Sequence, residues 1–218
     1  MRPDAAVRGT LRIAAPIAFA RLHLMPRMAR FLADHPDLRT DWVLGDRPVD
    51  LVEEGVDLAI RIGLVTDQEL IARRIGQMRR VTVARPDYFA KHGRPQHPRD
   101  LTAHDCIVYT GLATVDEWHF AGPDTAPILV KVSGRIRVSA SEGMRSALLE
   151  GLGLAVCPTW LFTDEIDTGV IERVLNDFEP APLPIQAVYP RRRLVSPRVR
   201  AFVDCLVEEF RADPRLAA

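Results

Sequence analysis

The reactive residues of this 218-residue chain do not assemble into a catalytic set. A serine on a strand-to-helix elbow would show as GxSxG and a zinc hydrolase helix as HExxH. A phosphate-cradling loop would show as GxxxxGK[ST] or GxGxxG. None of these strings occurs in the sequence. His23, His35, His92, His97, His104 and His119 are scattered and read as surface or capping residues, not bases or ligands. Glu53-Glu54 and Glu208-Glu209 read as solvated helix faces. Cys106, Cys157 and Cys205 are far apart and form no CxxC pair, so they read as buried, reduced thiols. The expectation is therefore no enzyme, no metal and no cofactor.

Anion binding is better argued from the backbone. A turn that follows a strand and opens a helix presents N–H groups at the positive end of the helix dipole. Two stretches have that form, Pro16 to Ala20 and Ser139 to Gly143. Ser139 and Ser141 add hydroxyls, and Ser139 with Glu142 has capping-box spacing. A small carboxylate could be held between two such helix starts. The dense basic run Arg191-Arg192-Arg193, with Arg198 and Arg200, reads as a solvated loop balanced by Asp204, Glu208 and Glu209. Arg73-Arg74 and Arg79-Arg80 read the same way.

The elements that must position these turns alternate in type. Leu11 to Ala15 is a strand, stopped by Pro16. A helix runs to about Asp34 with Leu22, Met25, Met28, Phe31 and Leu32 at helical spacing. Pro26 should delay its regular part to about Leu22 to Met25. Thr40 to Leu44 is a second strand, Val49 to Glu54 a helical turn or two, and Asp57 to Ile62 a third strand closed by Gly63. This rhythm implies a parallel sheet, whose sites lie at the carboxyl ends of the strands. Further strands are expected at Arg79 to Ala84, Cys106 to Tyr109, Trp118 to Ala121 and Ile128 to Val138.

The second half repeats the same grammar. Met144, Ala147, Leu148 and Leu152 continue a helix that Gly151 and Gly153 stop, and Leu154 to Cys157 is a buried strand closed by Pro158. Ile185 to Tyr189 is a late strand, and Pro197 to Arg211 an amphipathic helix. Two strands run into a proline, at Ala84–Pro86 and Val188–Pro190. They read as paired crossings between two lobes, a layout that can hinge.

Composition narrows the function classes. Basic and acidic residues number 29 each, so the net charge is zero, and the chain lacks the basic excess that nucleic-acid binding draws on. A hydrophobic share of 47% argues against disorder. No apolar run is long enough for a membrane helix, and residues 1–9 hold no secretory h-region, so a cytoplasmic location is expected.

These motifs resemble the effector-binding domain of LysR-type transcriptional regulators. The resemblance begins at Gly9-Thr-Leu-Arg-Ile-Ala-Ala-Pro16 and is most specific from Asp46 to Gly63, DRPVDLVEEGVDLAIRIG. It continues through Ala72 to Gly76, Gly151 to Pro158, Tyr189-Pro190 and Pro197 to Asp204. It implies an α/β fold of two Rossmann-like subdomains of the type 2 periplasmic-binding-protein kind, joined by two hinge crossings. Subdomain I would hold residues 9–84 and 188–212, and subdomain II residues 85–187. Residues 1–8 would be the remnant of a linker whose winged helix-turn-helix is absent from this chain. DNA contact would then belong to that missing part.

The resemblance also implies a small-molecule effector between the subdomains, a small organic acid among the candidates, and a homodimer that becomes a tetramer in the full-length protein. Subdomain I would offer the turns at Pro16, Ile17, Ala18, Phe19 and Ala20, at Gly45-Asp46 and at Ile62-Gly63. Subdomain II would answer with Ser139, Ala140, Ser141 and Glu142, and Pro158-Thr159 would close the cleft. One departure matters. Many members carry a hydroxyl residue near the position of Ala18, whereas Ile17 and Ala18 offer only backbone N–H here. That favours a less polar or smaller effector over a strong carboxylate clamp. The rival readings are a transport solute-binding protein of the same fold, which needs a leader peptide, and an enzyme using the same cleft.

Overall fold

The computed structural model describes residues 7–112, 114–122, 127–191 and 195–217. Residues 1–6 of the expected linker remnant, and Arg192-Arg193 of the basic run, lie outside the described residues. The chain divides into two compact units, one of residues 1–77 with 183–218, the other of residues 78–182.

In chain order the first stretch holds β1 (Gly9–Ala15), α1 (Ile17–Phe19), a π-helical segment (Ala20–Leu24), α2 (Met25–Asp34), β2 (Leu38–Leu44), β3 (Leu58–Ile62) and β4 (Leu70–Met78). Next come β5 (Arg80–Ala84), α3 (Pro86–His92), β6 (Val108–Tyr109), β7 (Glu117–Ala121), β8 (Pro127–Lys131), β9 (Arg137–Val138), α4 (Ser141–Leu149), β10 (Ala155–Pro158), α5 (Thr163–Asp167) and β11 (Glu172–Val174). The chain ends with β12 (Leu183–Pro190) and α6 (Pro197–Ala212).

The first unit is built on a five-stranded sheet of order β2-β1-β3-β12-β4. β1 pairs parallel to β2 and to β3, while β12 pairs antiparallel to β3. In the second unit β10 and β11 flank β5, both antiparallel to it. A parallel bridge from Cys106 to Leu154 carries the β6–β9 pair onto the edge of β10. The second unit thus echoes the first: a parallel pair, β6–β9, is bridged in parallel to β10, and β10 is flanked by an antiparallel strand, β5.

In both units the antiparallel strand is the one the chain enters straight after changing unit. The changes come at 77/78 and 182/183, not near Ala84 and Val188. Residues 78–84, assigned from sequence to the first lobe, belong to the second unit because β5 hydrogen-bonds to β10 and β11. Residues 183–187 belong to the first unit because β12 pairs with β3 from Ile185 onward. The expected strand over Ile128 to Val138 is two strands, since the intervening backbone turns to hydrogen-bond Cys106 and Val108 through the carbonyls of Ser133 and Ile136. β4 has no counterpart among the expected strands; its apolar residues do not alternate cleanly.

The helical run from Ile17 to Asp34 keeps going past Pro26 by widening. Proline has no N–H and its ring crowds the carbonyl four residues back. Here Met25 N–H reaches Ala20 O, the wider spacing of a π-turn, and regular α-helix resumes at Met25. Phe19 and Phe31 from this run pack on Phe210 and Phe202 of α6, with ring centroids 6.0 and 5.1 Å apart. The second unit has its own core, which includes Tyr88, Phe89, Leu101, Phe120, Val130 and Leu154.

Beneath α6 the first unit buries charge. Arg27 donates from Nη1 to His23 O at 2.9 Å and from Nη2 to Asp213 Oδ2 at 3.0 Å, and its Nε lies 3.1 Å from Glu209 Oε2. Its guanidinium sits 4.9 Å from the Phe210 ring centroid. The fork of Arg215, aided by Arg27, holds the Asp213 carboxyl far below the usual carboxylate range. Burial, with Arg27 and Arg215 nearby, pushes His23 down from 6.5 to about 4.

Arg27→Ala removes the cation from this buried network and should cost about 3 kcal/mol. Urea unfolding should show a lower midpoint at unchanged slope; an unshifted midpoint would show that the network adds no stability. His23 is neutral when folded and protonated below 6.5 when unfolded. Stability should therefore fall as pH drops from about 6.5 to about 4, by at most about 3 kcal/mol. The Asp213 contribution is lost only at lower pH, below the ordinary carboxylate value of 3.8. His23→Leu should flatten the pH 6.5–4 slope in melts; an identical slope would place the acid sensitivity elsewhere.

Candidate functional site

In the first unit, parallel pairing brings the carboxyl ends of β1, β2 and β3 side by side, with Ala15 opposite Leu44 and Ala14 opposite Ala59. The turns that follow hold Pro16 to Phe19, Gly45-Asp46 and Ile62-Gly63. The Gly45 N–H extends the ladder to Ala15 O at 3.1 Å. Asp46 then reaches back, and its Oδ1 accepts from the Ile17 N–H at 3.0 Å. The amide proposed from sequence as an anion donor is therefore held by the chain's own carboxylate.

Side chains sort sharply here. Ala18 and Phe19 are buried, and the Phe19 ring belongs to the core against Phe210, so neither side chain can meet a ligand. Ile17, Leu44 and Leu64 are exposed at 38%, 42% and 84%, one after each of the three strands or at its end. Of this aliphatic rim, Ile17 is among the residues singled out from sequence; Leu44 and Leu64 are not, although the period-2 rule flags Leu44 at a strand end.

Two residues that sequence reasoning missed fix the turns. Gln186 of β12 donates from Nε2 to Gly63 O at 2.6 Å, and Pro184 O accepts the Gly63 N–H at 2.9 Å. Arg61 of β3 donates to Val49 O at 3.0 Å and ties down the chain that leaves Asp46. Burial lowers the Arg61 pKa, partly offset by Asp67 and Asp50. The expected helix at 49–54 is a hydrogen-bonded turn, in which Asp50 Oδ1 accepts from the N–H groups of Val52 and Glu53.

In the second unit, Ser139 and Ala140 connect β9 to α4, and Ser141 and Glu142 are the first residues of the helix. The predicted capping box does not form. Ala140 is the N-cap, with extended backbone, and no side chain caps the helix. The exposed Ser139 stands one residue before it. Thr110 steadies the turn, its N–H and hydroxyl both on Val138 O at 2.8 and 3.2 Å. The far end of α4 stops as expected: Gly151 N–H bonds Leu148 O and Leu152 N–H bonds Ala147 O, the paired bonds of a left-handed glycine terminator. Pro158 ends β10. Thr159 donates its N–H to Arg79 O at 3.1 Å, and its hydroxyl points to the same oxygen at 3.5 Å.

Two adjoining cavities of about 270 and 220 Å³ lie elsewhere in the first unit, along the start of α6. They open where β12 ends and β3 begins, the sheet end opposite the three turns, and the pairs Arg198–Asp57 and Arg73–Asp204 stand in their walls. Among the described residues no cluster of metal-ligating side chains occurs, and no helix is long and apolar enough to cross a membrane. Cys106 and Cys157 are buried and their thiols pushed up by burial, Cys106 to about 12, as befits inert packing groups.

Residues 4–211 match the LysR substrate binding domain family. The chain belongs to that family. It is 35% identical over 204 residues to an uncharacterized HTH-type transcriptional regulator, YhjC of Escherichia coli, covering 92% of this chain and 67% of that protein. The CrgA regulatory domain from Neisseria meningitidis superposes with a TM-score of 0.80 at 30% identity, over 93% of this chain and 98% of that one. Full-length AphB, a virulence activator of Vibrio cholerae, gives 0.80 at 27% identity, over 94% of this chain and 69% of that one.

The fold is thus the type 2 periplasmic-binding-protein kind expected from sequence, and the domain is the effector-binding part of a LysR-type regulator. The relatives are named as transcriptional regulators, which favours this reading over transport. The chain spans 67%, 64% and 61% of the length of three curated relatives.

Gly63 offers a check on the strand-end geometry. Its φ is +109°, a region that L side chains rarely adopt, although the space around it is open. Gly63→Ala should cost about 1–3 kcal/mol through backbone strain alone. An unchanged melting temperature would mean the turn can relax to another shape.

Proposed function

We propose that this domain senses a small molecule and does no chemistry on it. The first unit contributes the turns at Pro16–Phe19, Gly45-Asp46 and Ile62-Gly63, through main chain at Ala18 and Phe19. The second contributes Ser139, Ala140, Ser141 and Glu142, with Pro158-Thr159 in support. The observation that carries this reading is the meeting of three parallel strand ends, whose turns are tied by Gln186 and Arg61 and rimmed by exposed aliphatic side chains. Rigid strands with polar turns at their carboxyl ends are where α/β sheets take ligands.

In this reading the domain serves a longer cytoplasmic regulator that assembles as a homodimer and, in full length, as a tetramer. DNA contact belongs to a helix-turn-helix outside this chain. The effector shifts an equilibrium between arrangements of the protomers. Moving that balance from 1:99 to 99:1 takes about 5.5 kcal/mol of differential affinity.

A thermal-shift screen of small aromatic and aliphatic acids, amines and neutral analogues on the 218-residue chain tests this, since a ligand bound only by the folded state raises the melting temperature. For a compound so found, Ser139→Ala with Ser141→Ala should weaken calorimetric affinity roughly tenfold or more. The ligand-free melting temperature of the variant is measured alongside, so that lost affinity is separated from lost stability. Unchanged affinity would remove these serines from the site.

A further inference from the structure

We infer that the first unit holds a second small-molecule site, at the sheet end opposite the strand-end turns, for a compact apolar molecule bearing a carboxylate. It is separate from the proposed effector site and does not depend on it. The two cavities of about 270 and 220 Å³ share Tyr189, Val195 and Val199, so they form one trough along the start of α6. Joined, they have the size of a small-ligand pocket, which begins at about 300 Å³. Pro190, Val199 and Val203 in its walls are buried, and Tyr189 and Val195 are half-buried. These side chains offer apolar contact to the carbon body of a ligand.

The charges around the trough do not cancel. Arg198 faces Asp57 and Arg73 faces Asp204. Arg200, in the wall of the second cavity, has no carboxylate partner among the described residues. Beyond Asp57, Arg12 is matched by Asp41 and Glu54. Where β12 ends, Arg191 donates from Nε to Gln68 O and from its N–H to Glu69 O, so Glu69 balances it at most one for one. Arg192 and Arg193 follow in the chain and add positive charge only. The balance is positive, which favours an anion.

Arg198 is loosely held. Only its Nη2 touches Asp57, at 3.4 and 3.5 Å, beyond the usual range of such a bond. Its Nε is buried with no hydrogen-bond partner among the described residues. A buried N–H without a partner is rare and costly. Asp57 is better served, since its Oδ2 also accepts the Arg12 N–H at 3.1 Å. A carboxylate entering the trough can take the fork of Arg198 by two parallel hydrogen bonds, the strong form of this contact.

The test titrates benzoate, acetate and benzyl alcohol into the 15N-labelled chain at neutral pH and constant ionic strength. Acetate keeps the carboxylate without the ring, and benzyl alcohol the ring without the charge. The amides of Asp57, Val195, Ser196, Val199 and Val203 report on the trough, and those of Ile17 and Gly63 on the strand-end turns. Benzoate should move the trough signals to saturation and bind about tenfold more tightly than either control. Arg200→Gln should weaken benzoate about three- to fivefold, and Arg198→Gln about tenfold or more. If Arg198→Gln does not fold because Asp57 loses its partner, Asp57→Asn with Arg198→Gln removes both charges and decides. Acetate or benzyl alcohol binding as tightly as benzoate would overturn the inference, as would unchanged affinity in the Arg198 variant. Trough signals that stay still with benzoate overturn it whatever happens at Ile17 and Gly63, whose shifts bear only on the strand-end site.

Discussion

A parallel sheet needs closing on its open side, and in this chain each closing strand arrives from a distant stretch of sequence. β12 lies between β3 and β4, yet the whole second unit separates it from β4 in the chain. The first unit's sheet is therefore incomplete until residues 183–190 return. Closing so long a loop costs entropy before any contact is made, but only logarithmically with length. What offsets that cost is local and dense: the β12–β3 ladder from Ile185 to Val188, then α6 laying Phe202 and Phe210 against the rings of Phe31 and Phe19. The second unit is one continuous segment, and its closing strand β5 meets its distant partners β10 and β11 within that segment.

That constraint explains what can be read in advance and what cannot. Strand and helix periods are local. So β1, β3, the helix to Asp34, α4 and α6 are visible from Leu11, Leu58, Phe31, Leu148 and Leu206, each with its neighbours along one face. The lobe assignment of β5 and the start of β12 is not visible, because pairing partners are non-local and both strands look alike as β-branched runs ending near a proline. β4 escapes a sequence reading for the same reason. Its arginines are exposed at an edge, and of its apolar side chains only Ile75 and Met78 are buried. Ser139 and Glu142 have the spacing of a capping box, but spacing does not say which residue takes the cap conformation; here Ala140 does.

The candidate site shows a similar division. The positions of its turns follow from the rule that ligands meet parallel sheets at strand ends. Their chemistry does not follow, since it depends on which side chain folds back onto which amide. Asp46 to Ile17 spans 29 residues, and Gln186 to Gly63 spans 123, in the first unit alone. Phe19 carries the lesson in reverse: it stands in the expected turn, yet burying its ring against Phe210 gains more than leaving it at a rim.

The C-terminal tail shows how the first unit protects the edge this topology creates. β4 is the outer strand, and an exposed edge invites pairing with another chain. After α6 the chain turns at Asp213, and Leu216 is fully buried while its carbonyl accepts the Gln77 N–H at 2.9 Å. Gly76 makes that approach possible, because a Cβ there would stand 2.7 Å from Leu216 O. Asp213 is the pin, held by the forks of Arg27 and Arg215. The buried charges are thus best understood through position: they hold the tail over the end of β4, next to the point where the chain leaves the first unit. An apolar replacement of similar volume could match their contribution to stability, but it would not fix the direction in which the tail turns.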